Sequence, residues 1–127
     1  MTGKKLYQMA LDLCGLRRDD GEFVSDTKDL EMRSVMLINI LLGENASLDC
    51  RIRKTEHEVR SIMSLDENID VSDIVANSVL PYGLARLFML GEDDNLAANF
   101  NKLYVDGQKN ALKFGKASVL EITEVYV

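Results

Sequence analysis

A calcium-binding loop is the first chemistry to test in this sequence. Oxygen-bearing residues alternate through the acidic stretch DENIDVSD, at the ligand positions of an EF-hand loop: Asp66, Asn68, Asp70 and Ser72. However, the sixth position, which needs glycine for its sharp turn, is Val71, and the twelfth, which needs a bidentate glutamate, is Asn77. We therefore expect no metal site here, but an acidic connection that leads into a helix cap.

The sequence contains no recognisable motif for nucleophilic or acid–base catalysis. His57 is the only histidine, and it lies between Glu56 and Glu58 in a strongly charged stretch, which predicts a solvated surface residue. No second histidine is present to build a zinc site. The serines lack the glycines of a nucleophile elbow, and the glycines form neither a phosphate loop nor a dinucleotide fingerprint. The sequence thus predicts no enzyme and no cofactor.

The net charge and the hydropathy of the sequence limit the kinds of partner that the protein can bind. The formal net charge of −6 argues against tight binding to nucleic-acid phosphates. Cys14 and Cys50 lie far apart and in no metal or redox spacing, which indicates reduced, buried thiols of a cytosolic protein. The longest apolar run, residues 79–90, contains Arg86 and is shorter than the about 20 residues of a membrane-spanning helix. We expect no membrane insertion.

Helical periodicity organises most of the 127 residues into one domain. It predicts a first helix near residues 6–13, a second over 25–43 whose later half is apolar nearly all round, a third from about residue 73, and a long one from Leu96 to Phe114. Pro81 should kink or break the third helix at residues 77–80. The predicted fold is an all-α, single-domain bundle of about four to five helices.

Two segments do not follow the helical period. Leu48, Cys50 and Ile52 alternate with polar residues, which fits either a short strand or an ordered loop with a helical turn. Residues 117–127 are rich in β-branched side chains and predict an extended C-terminal arm. Such an arm lacks a partner strand within its own domain, so we expect it to pair with another chain.

The proline-containing run VLPYGLARLFML is too short for a bilayer and has too few polar groups for catalysis. We therefore predict that it is a kinked packing helix. On that basis, replacing either Phe88 or Leu90 with aspartate should destabilise the fold, since a charge would be buried without a partner.

The order of these elements resembles the head–tail connector, or adaptor, proteins of tailed bacteriophages. The similarity is carried by LDLCGL, by SDTKDLEMRSVMLINILL and above all by LPYGLARLFMLGEDDNLAANFNKLY, in which an acidic turn joins two helices. The resemblance implies a non-enzymatic virion neck protein. It would form a ring, commonly of twelve copies, beneath the portal, with tail or neck proteins on its other side and double-stranded DNA passing through without specific binding.

Two groups of residues are candidates for contacts in such an assembly. The basic group is Arg17, Arg18, Arg51, Arg53 and Lys54. The group in the C-terminal arm is Val119, Leu120, Ile122, Val125 and Tyr126. The alternative is a small cytosolic helical module, of bacterial or prophage origin, that binds or regulates another protein. A DNA-binding regulator is less consistent with the sequence, because the helix that carries Lys102, Lys109 and Lys113 also carries Asp106.

Overall fold

The computed structural model describes residues 1–16 and 28–125, and over residues 115–125 it describes the backbone only. The described part is all-helical, with the elements α1 (Gly3–Leu13), α2 (Lys28–Glu44), α3 (Ala46–Arg53), α4 (Asp73–Ser78), α5 (Leu80–Met89) and α6 (Asp94–Val125). Since α4 and α5 are the two halves of the predicted kinked helix, the all-α bundle of four to five helices is confirmed. Within these ranges the only β-type contact is an isolated bridge between Thr2 and Asn68.

Helix α1 begins and ends as its sequence indicates. The side chain of Thr2 accepts a hydrogen bond from the backbone N–H of Lys5 at 3.1 Å, which satisfies a donor of the first turn. Gly15 has a φ of +71°, the left-handed conformation that terminates many helices. Between these ends Leu6, Ala10 and Leu11 are fully buried. This apolar face anchors the N-terminal helix against α5.

The break at Pro81 occurs where the sequence predicts it. α4 ends at Ser78, and α5 begins at Leu80 with proline in its first turn, where a missing backbone donor costs nothing. Val79 joins the two helices with φ −119° and ψ −58°. The break redirects the chain so that α5 can lie in the centre of the bundle, where seven of its residues are buried.

Helix α6 packs closely along α4 and α5 because glycine occupies two of the contacts. A β-carbon on Gly83 would lie 2.8 Å from the side chains of both Leu41 and Tyr104. A β-carbon on Gly107 would lie 2.5 Å from the carbonyl oxygen of Ser78, which is backbone and cannot rotate away. The glycines therefore set the distance between α6 and the rest of the domain.

The strand interpretation of residues 48–52 is wrong. Leu48, Cys50 and Ile52 lie on helix α3, with Leu48 and Ile52 one turn apart and packed against the hydrophobic core. Three alternating residues fit a period of 2, but the (i, i+4) pair fits one helix face equally well. The burial of Asp49, between them in sequence, removes the apparent polar–apolar alternation.

The prediction of an extended C-terminal arm is also wrong as far as the structure describes it. The backbone of residues 117–125 continues α6 as helix to Val125. A helix that is already formed adds residues at little cost, and Ala117, Leu120, Glu121 and Glu124 favour it, whereas β propensity depends strongly on a partner strand. Residues 126–127, and the predicted caps of α2 at residues 25–27, lie outside the described residues.

None of the helices in the described ranges combines the length and the hydropathy that a membrane crossing requires.

Phe88 and Leu90 differ in a way that the sequence did not predict. Phe88 is 2% exposed and meets the ring of Tyr7 edge-on, with 6.1 Å between the ring centres. Leu90 is 58% exposed, because it follows the last turn of α5 and immediately precedes Gly91, whose φ of +84° turns the chain. The expectation that both residues are buried is therefore wrong for Leu90.

We now predict that Phe88→Asp lowers the free energy of unfolding by about 3–5 kcal/mol or more, because it removes a buried ring and buries a carboxylate. Leu90→Asp should change it by less than about 0.5 kcal/mol, as is usual for exposed positions. Urea denaturation of both variants, followed by circular dichroism, measures the difference. Equal losses of stability in the two variants would contradict this orientation of the end of α5.

A second stability prediction concerns the close packing of α6. Gly107→Ala should destabilise the protein by about 1–3 kcal/mol, because the added methyl group meets the Ser78 carbonyl oxygen. Gly43→Ala is the matched control: Gly43 also lies in a helix, but nothing lies within 4 Å of its β-carbon position. That variant should be stabilised by about 0.5–1 kcal/mol. Thermal melts of both proteins test the opposite signs.

Candidate functional site

A buried carboxylate, that of Asp49, connects α3 to the segment between α3 and α4. Asp49 is fully buried, and its Oδ1 accepts the backbone N–H of Ser72 at 2.7 Å. Its Oδ2 lies 3.2 Å from Nε of Arg53 and 3.0 Å from Nε2 of His57. The carboxylate is thus surrounded by nitrogen atoms from three parts of the chain, as a buried charge requires.

The prediction that His57 is a solvated surface residue is wrong. Its side chain is only 20% exposed and turns back to α3, where Nδ1 lies 3.8 Å from Sγ of Cys50. The neighbours Glu56 and Glu58 are exposed, as predicted. One inward-facing residue in a charged, irregular segment produces no periodic signal, so sequence reasoning had no means to find it.

Cys50, His57 and Asp49 lie in the order nucleophile, base and orienting acid that thiol enzymes use. Two contacts favour a structural interpretation instead. The Cys50 thiol also lies 3.5 Å from the backbone carbonyl oxygen of His57 and donates to it. The Asp49 oxygen that faces His57 is shared with Arg53. We interpret the cluster as a clasp that fixes the loop after α3.

The geometry of the clasp is not that of a metal site. Across the ranges that the structure describes, no group of three or more His, Cys, Asp or Glu side chains is placed to hold a metal ion. In the acidic stretch at residues 66–73, the Glu67 carboxylate stabilises the local backbone. It accepts hydrogen bonds from the backbone N–H groups of Ser64 and Met63, at 2.6 Å and 2.5 Å.

The two cysteines are unpaired and half-buried. The Cys14 thiol donates to the carbonyl oxygen of Ala85 at 3.8 Å, and burial raises its pKa to about 11. At neutral pH Cys14 is therefore a protonated packing residue rather than a reactive thiolate.

A second polar cluster joins α2, α5 and α6 around Tyr104. The Tyr104 hydroxyl accepts a hydrogen bond from the amide of buried Asn45 at 2.8 Å and donates one to Glu44 at 3.0 Å. Arg86 lies over the Tyr104 ring, 4.8 Å from its centre, and its guanidinium also reaches Glu44 at 3.4 Å. Gln108 completes the cluster by donating to Asn45 at 2.8 Å. Burial raises the pKa of Tyr104 to about 12, so its hydroxyl keeps its proton at physiological pH.

The predicted basic contact residues have different roles in the structure. Arg53 is committed within the chain, since it pairs with Asp49 and also lies 3.0 Å from Asp70. Arg51 and Lys54 are exposed at the end of α3, where Lys54 adopts a left-handed φ of 59°. Their positive charges are therefore available for contact with a partner surface. Arg17, Arg18 and Tyr126 lie outside the described residues.

The largest uncovered apolar surface on α2 is a row of three side chains. Met32, Met36 and Ile40, here called the α2 stripe, follow one another at one-turn spacing and are 82%, 58% and 48% exposed. The opposite face of the helix is buried through Ile38 and Leu41. The sequence predicted that the later half of this helix, residues 35–42, is apolar nearly all round, so that it must be covered on several sides. Its own domain covers one side only.

A shallow groove of about 670 Å³ borders the α2 stripe between α1 and α2. Met32 is at its edge, and Tyr7, Val35 and Leu65 contribute further apolar surface. Lys4, Gln8 and Glu31 are among its polar residues. The stripe and the groove together form a continuous surface that a helix can contact.

One aromatic side chain, that of Phe114, is exposed where α6 leaves the core. Phe100, Tyr104 and Ala111 form the buried face of this helix, and Phe114 comes next in the same period but is 61% exposed. The backbone continues as helix to Val125, about 20 Å beyond Ala111 at 1.5 Å per residue. Its sequence there includes the predicted contact residues Val119, Leu120, Ile122 and Val125. We call residues 112–125 the α6 end.

Comparisons of the chain with models of known protein families, with curated proteins and with solved structures find no match.

The Asp49 clasp predicts a strong dependence of stability on one carboxylate. Asp49→Ala should lower the free energy of unfolding by about 3–5 kcal/mol, because Arg53, His57 and the Ser72 N–H lose a buried partner. Asp70→Ala is the control: it removes the other partner of Arg53, but Asp70 is 54% exposed, so the loss should stay below about 1 kcal/mol. Chemical denaturation measures both, and similar losses would show that the clasp is not a buried ion pair.

Proposed function

We propose that this protein is a non-enzymatic structural protein of a tailed bacteriophage that oligomerises as a ring beneath the portal. In this position it joins the head to the tail and forms part of the DNA channel. The proposal begins from the resemblance of the helix order to head–tail connectors. The observation that supports it best is the exposed α2 stripe, together with the 61% exposed Phe114 on α6.

Exposed methionine, isoleucine and phenylalanine side chains are typical of contact surfaces. Isolated apolar side chains at a surface need no explanation, but a row such as Met32, Met36 and Ile40 is a recognised mark of a protein–protein interface. Methionine suits this role because its flexible thioether adapts to an uneven partner surface.

The charge of the chain is consistent with a DNA channel. A formal net charge of −6 repels phosphates, so DNA would slide past the ring rather than adhere to it. The exposed basic residues Arg51 and Lys54 would instead meet acidic groups of the portal, of a tail or neck protein, or of another copy. In this proposal the protein needs no cofactor, and it is located in the virion neck after assembly in the host cytoplasm.

A second candidate function is a monomeric or dimeric module that binds another protein in the host cytoplasm. The groove between α1 and α2 favours it, since Tyr7, Val35 and Leu65 would contact a helix of a partner. The two functions differ in the number of copies that associate.

Native mass measured by light scattering over a wide range of concentrations separates them. A connector should give a closed species of about twelve copies, either alone or when mixed with a portal ring, and the module should give a monomer or a tight dimer. If the protein neither formed a large closed species alone nor bound a portal ring in co-sedimentation, the connector proposal would be wrong.

A further inference from the structure

We infer that Cys50 is a site of covalent modification, at which a small anionic disulfide exchanges with the thiol while His57 takes up the thiol proton. The contacts that hold the loop after α3 also place a base beside a nucleophile, since Nδ1 of His57 lies 3.8 Å from Sγ of Cys50. The thiol is modified once and turns over no substrate, so the reaction is compatible with a non-enzymatic protein.

Asp49 favours the form of the His57 ring in which Nδ1 can accept a proton. Its Oδ2 lies 3.0 Å from Nε2 of His57, and a carboxylate at this distance favours the tautomer that carries the ring hydrogen on Nε2. Nδ1, which faces Cys50, then keeps its lone pair. Because Asp49 is fully buried, its charge is poorly screened and also stabilises the imidazolium that forms when the ring takes the proton.

The other charged groups of the clasp leave room for a positive charge on His57. Arg53 lies 3.2 Å from the same Asp49 oxygen, and its guanidinium is also 3.0 Å from Asp70. Two carboxylates therefore surround one guanidinium, which leaves one negative charge uncompensated. A proton on His57 neutralises this charge, so proton transfer from Cys50 does not add a second unbalanced cation to the clasp.

The thiol hydrogen of Cys50 has two acceptors within reach. Sγ lies 3.5 Å from the carbonyl oxygen of His57, to which the thiol donates, and 3.8 Å from Nδ1 of the same residue. Rotation about the Cβ–Sγ bond moves the hydrogen from the oxygen toward the ring nitrogen while the heavy atoms stay in place. The carbonyl contact thus keeps the sulfur beside the ring, and the ring can then accept the proton.

The surroundings of Cys50 favour an anionic reagent. Cys50 is half-buried, Arg51 is next to it in α3, and Lys54 directly follows the helix, with both basic side chains exposed. Reactive thiols are typically partly exposed and adjacent to basic groups. Cys14 differs, because its thiol donates to the carbonyl oxygen of Ala85 and burial raises its pKa to about 11. A disulfide with carboxylate groups, such as glutathione disulfide, should therefore react at Cys50 in preference to Cys14.

The exchange balances in atoms and electrons. The Cys50 sulfur attacks one sulfur of the disulfide as its proton passes to Nδ1 of His57. A new S–S bond forms between the protein and the reagent, and the S–S bond of the reagent breaks. The second sulfur of the reagent leaves with the electron pair as a thiolate, and the proton on His57 then passes to that thiolate or to water. One disulfide replaces another, so no further oxidant is required.

The experiment uses dithiobis(nitrobenzoate), an anionic aromatic disulfide whose released thiolate is coloured, on the full chain at neutral pH. Cys14→Ser leaves Cys50 as the single thiol, and Cys50→Ser leaves Cys14. Cys50 should react at least about tenfold faster than Cys14. Adding His57→Gln to the Cys14→Ser chain should slow the reaction of Cys50 about tenfold, because the base is lost. Glu58→Gln, an exposed change in the same loop, is the control and should alter the rate by less than about threefold.

A clasp with a purely structural role predicts the opposite sign for His57→Gln, because a loosened loop exposes the sulfur and speeds its reaction. An unchanged or faster rate in that variant would therefore overturn the inference, and so would an equal slowing by Glu58→Gln. Melting curves verify the fold of each variant. If the His57→Gln chain does not fold, the Cys14→Ser chain decides: Cys50 should react faster in the native protein than in the same chain unfolded in urea, and a slower native reaction would overturn the inference.

Discussion

The placement of Tyr104 is the interaction on which the rest of the structure depends. Its ring lies against Gly83 of α5, under the guanidinium of Arg86, and its hydroxyl bonds Asn45 and Glu44 at the junction of α2 and α3. One side chain of α6 thus contacts three other elements. A β-carbon at Gly83 would overlap the ring, so this arrangement requires a glycine in the centre of an otherwise bulky apolar helix. The glycine lowers the helix propensity of α5 slightly, and the packed tyrosine more than offsets this loss.

Several buried polar side chains in the described part of the molecule contact one another. The Asp49 carboxylate contacts Arg53, His57 and the backbone N–H of Ser72. The Asn45 side chain forms hydrogen bonds with Tyr104 and Gln108. These contacts favour one arrangement of the helices. The networks are not complete, because Oδ2 of Asp49 and Nε2 of His57 meet only at ion-pair distance, and Oγ of Ser72 and Nε of Arg86 are buried without a hydrogen-bond partner. The exposed large apolar side chains include Met32, Met36 and Ile40 on α2 and Phe114 on α6.

The sequence predicted the elements whose signals are local and repeated. The N-terminal helix, the break before Pro81 and the long helix around Tyr104 each follow from periodicity or from a backbone constraint. The failures have a common cause. Cys50 lies in an eight-residue helix that is too short for its period to be distinguished from alternation, and the inward turn of His57 depends on a carboxylate eight residues earlier. The β-branched residues after Gly115 suggested an extended arm, but the continuing helix determines their conformation. The exposure of Leu90 depends on where α5 ends, which is the least reliable feature of any sequence-based prediction.

Helix α6 connects the interior of the domain to the exposed Phe114. Between Tyr104 and Phe114 the helix rises about 15 Å, so the polar cluster and the exposed phenylalanine belong to one continuous rod. Upstream of Phe114 the helix is held at two close contacts. Gly107 of α6 lies against the backbone of Ser78 on α4, and the ring of Tyr104 lies against Gly83 on α5. Under the proposed function, a helix anchored in the core in this way would restrain a neighbouring subunit that contacts Phe114, whereas an unanchored helix would move with it. The two glycine contacts thus fix the direction of α6 up to its exposed phenylalanine.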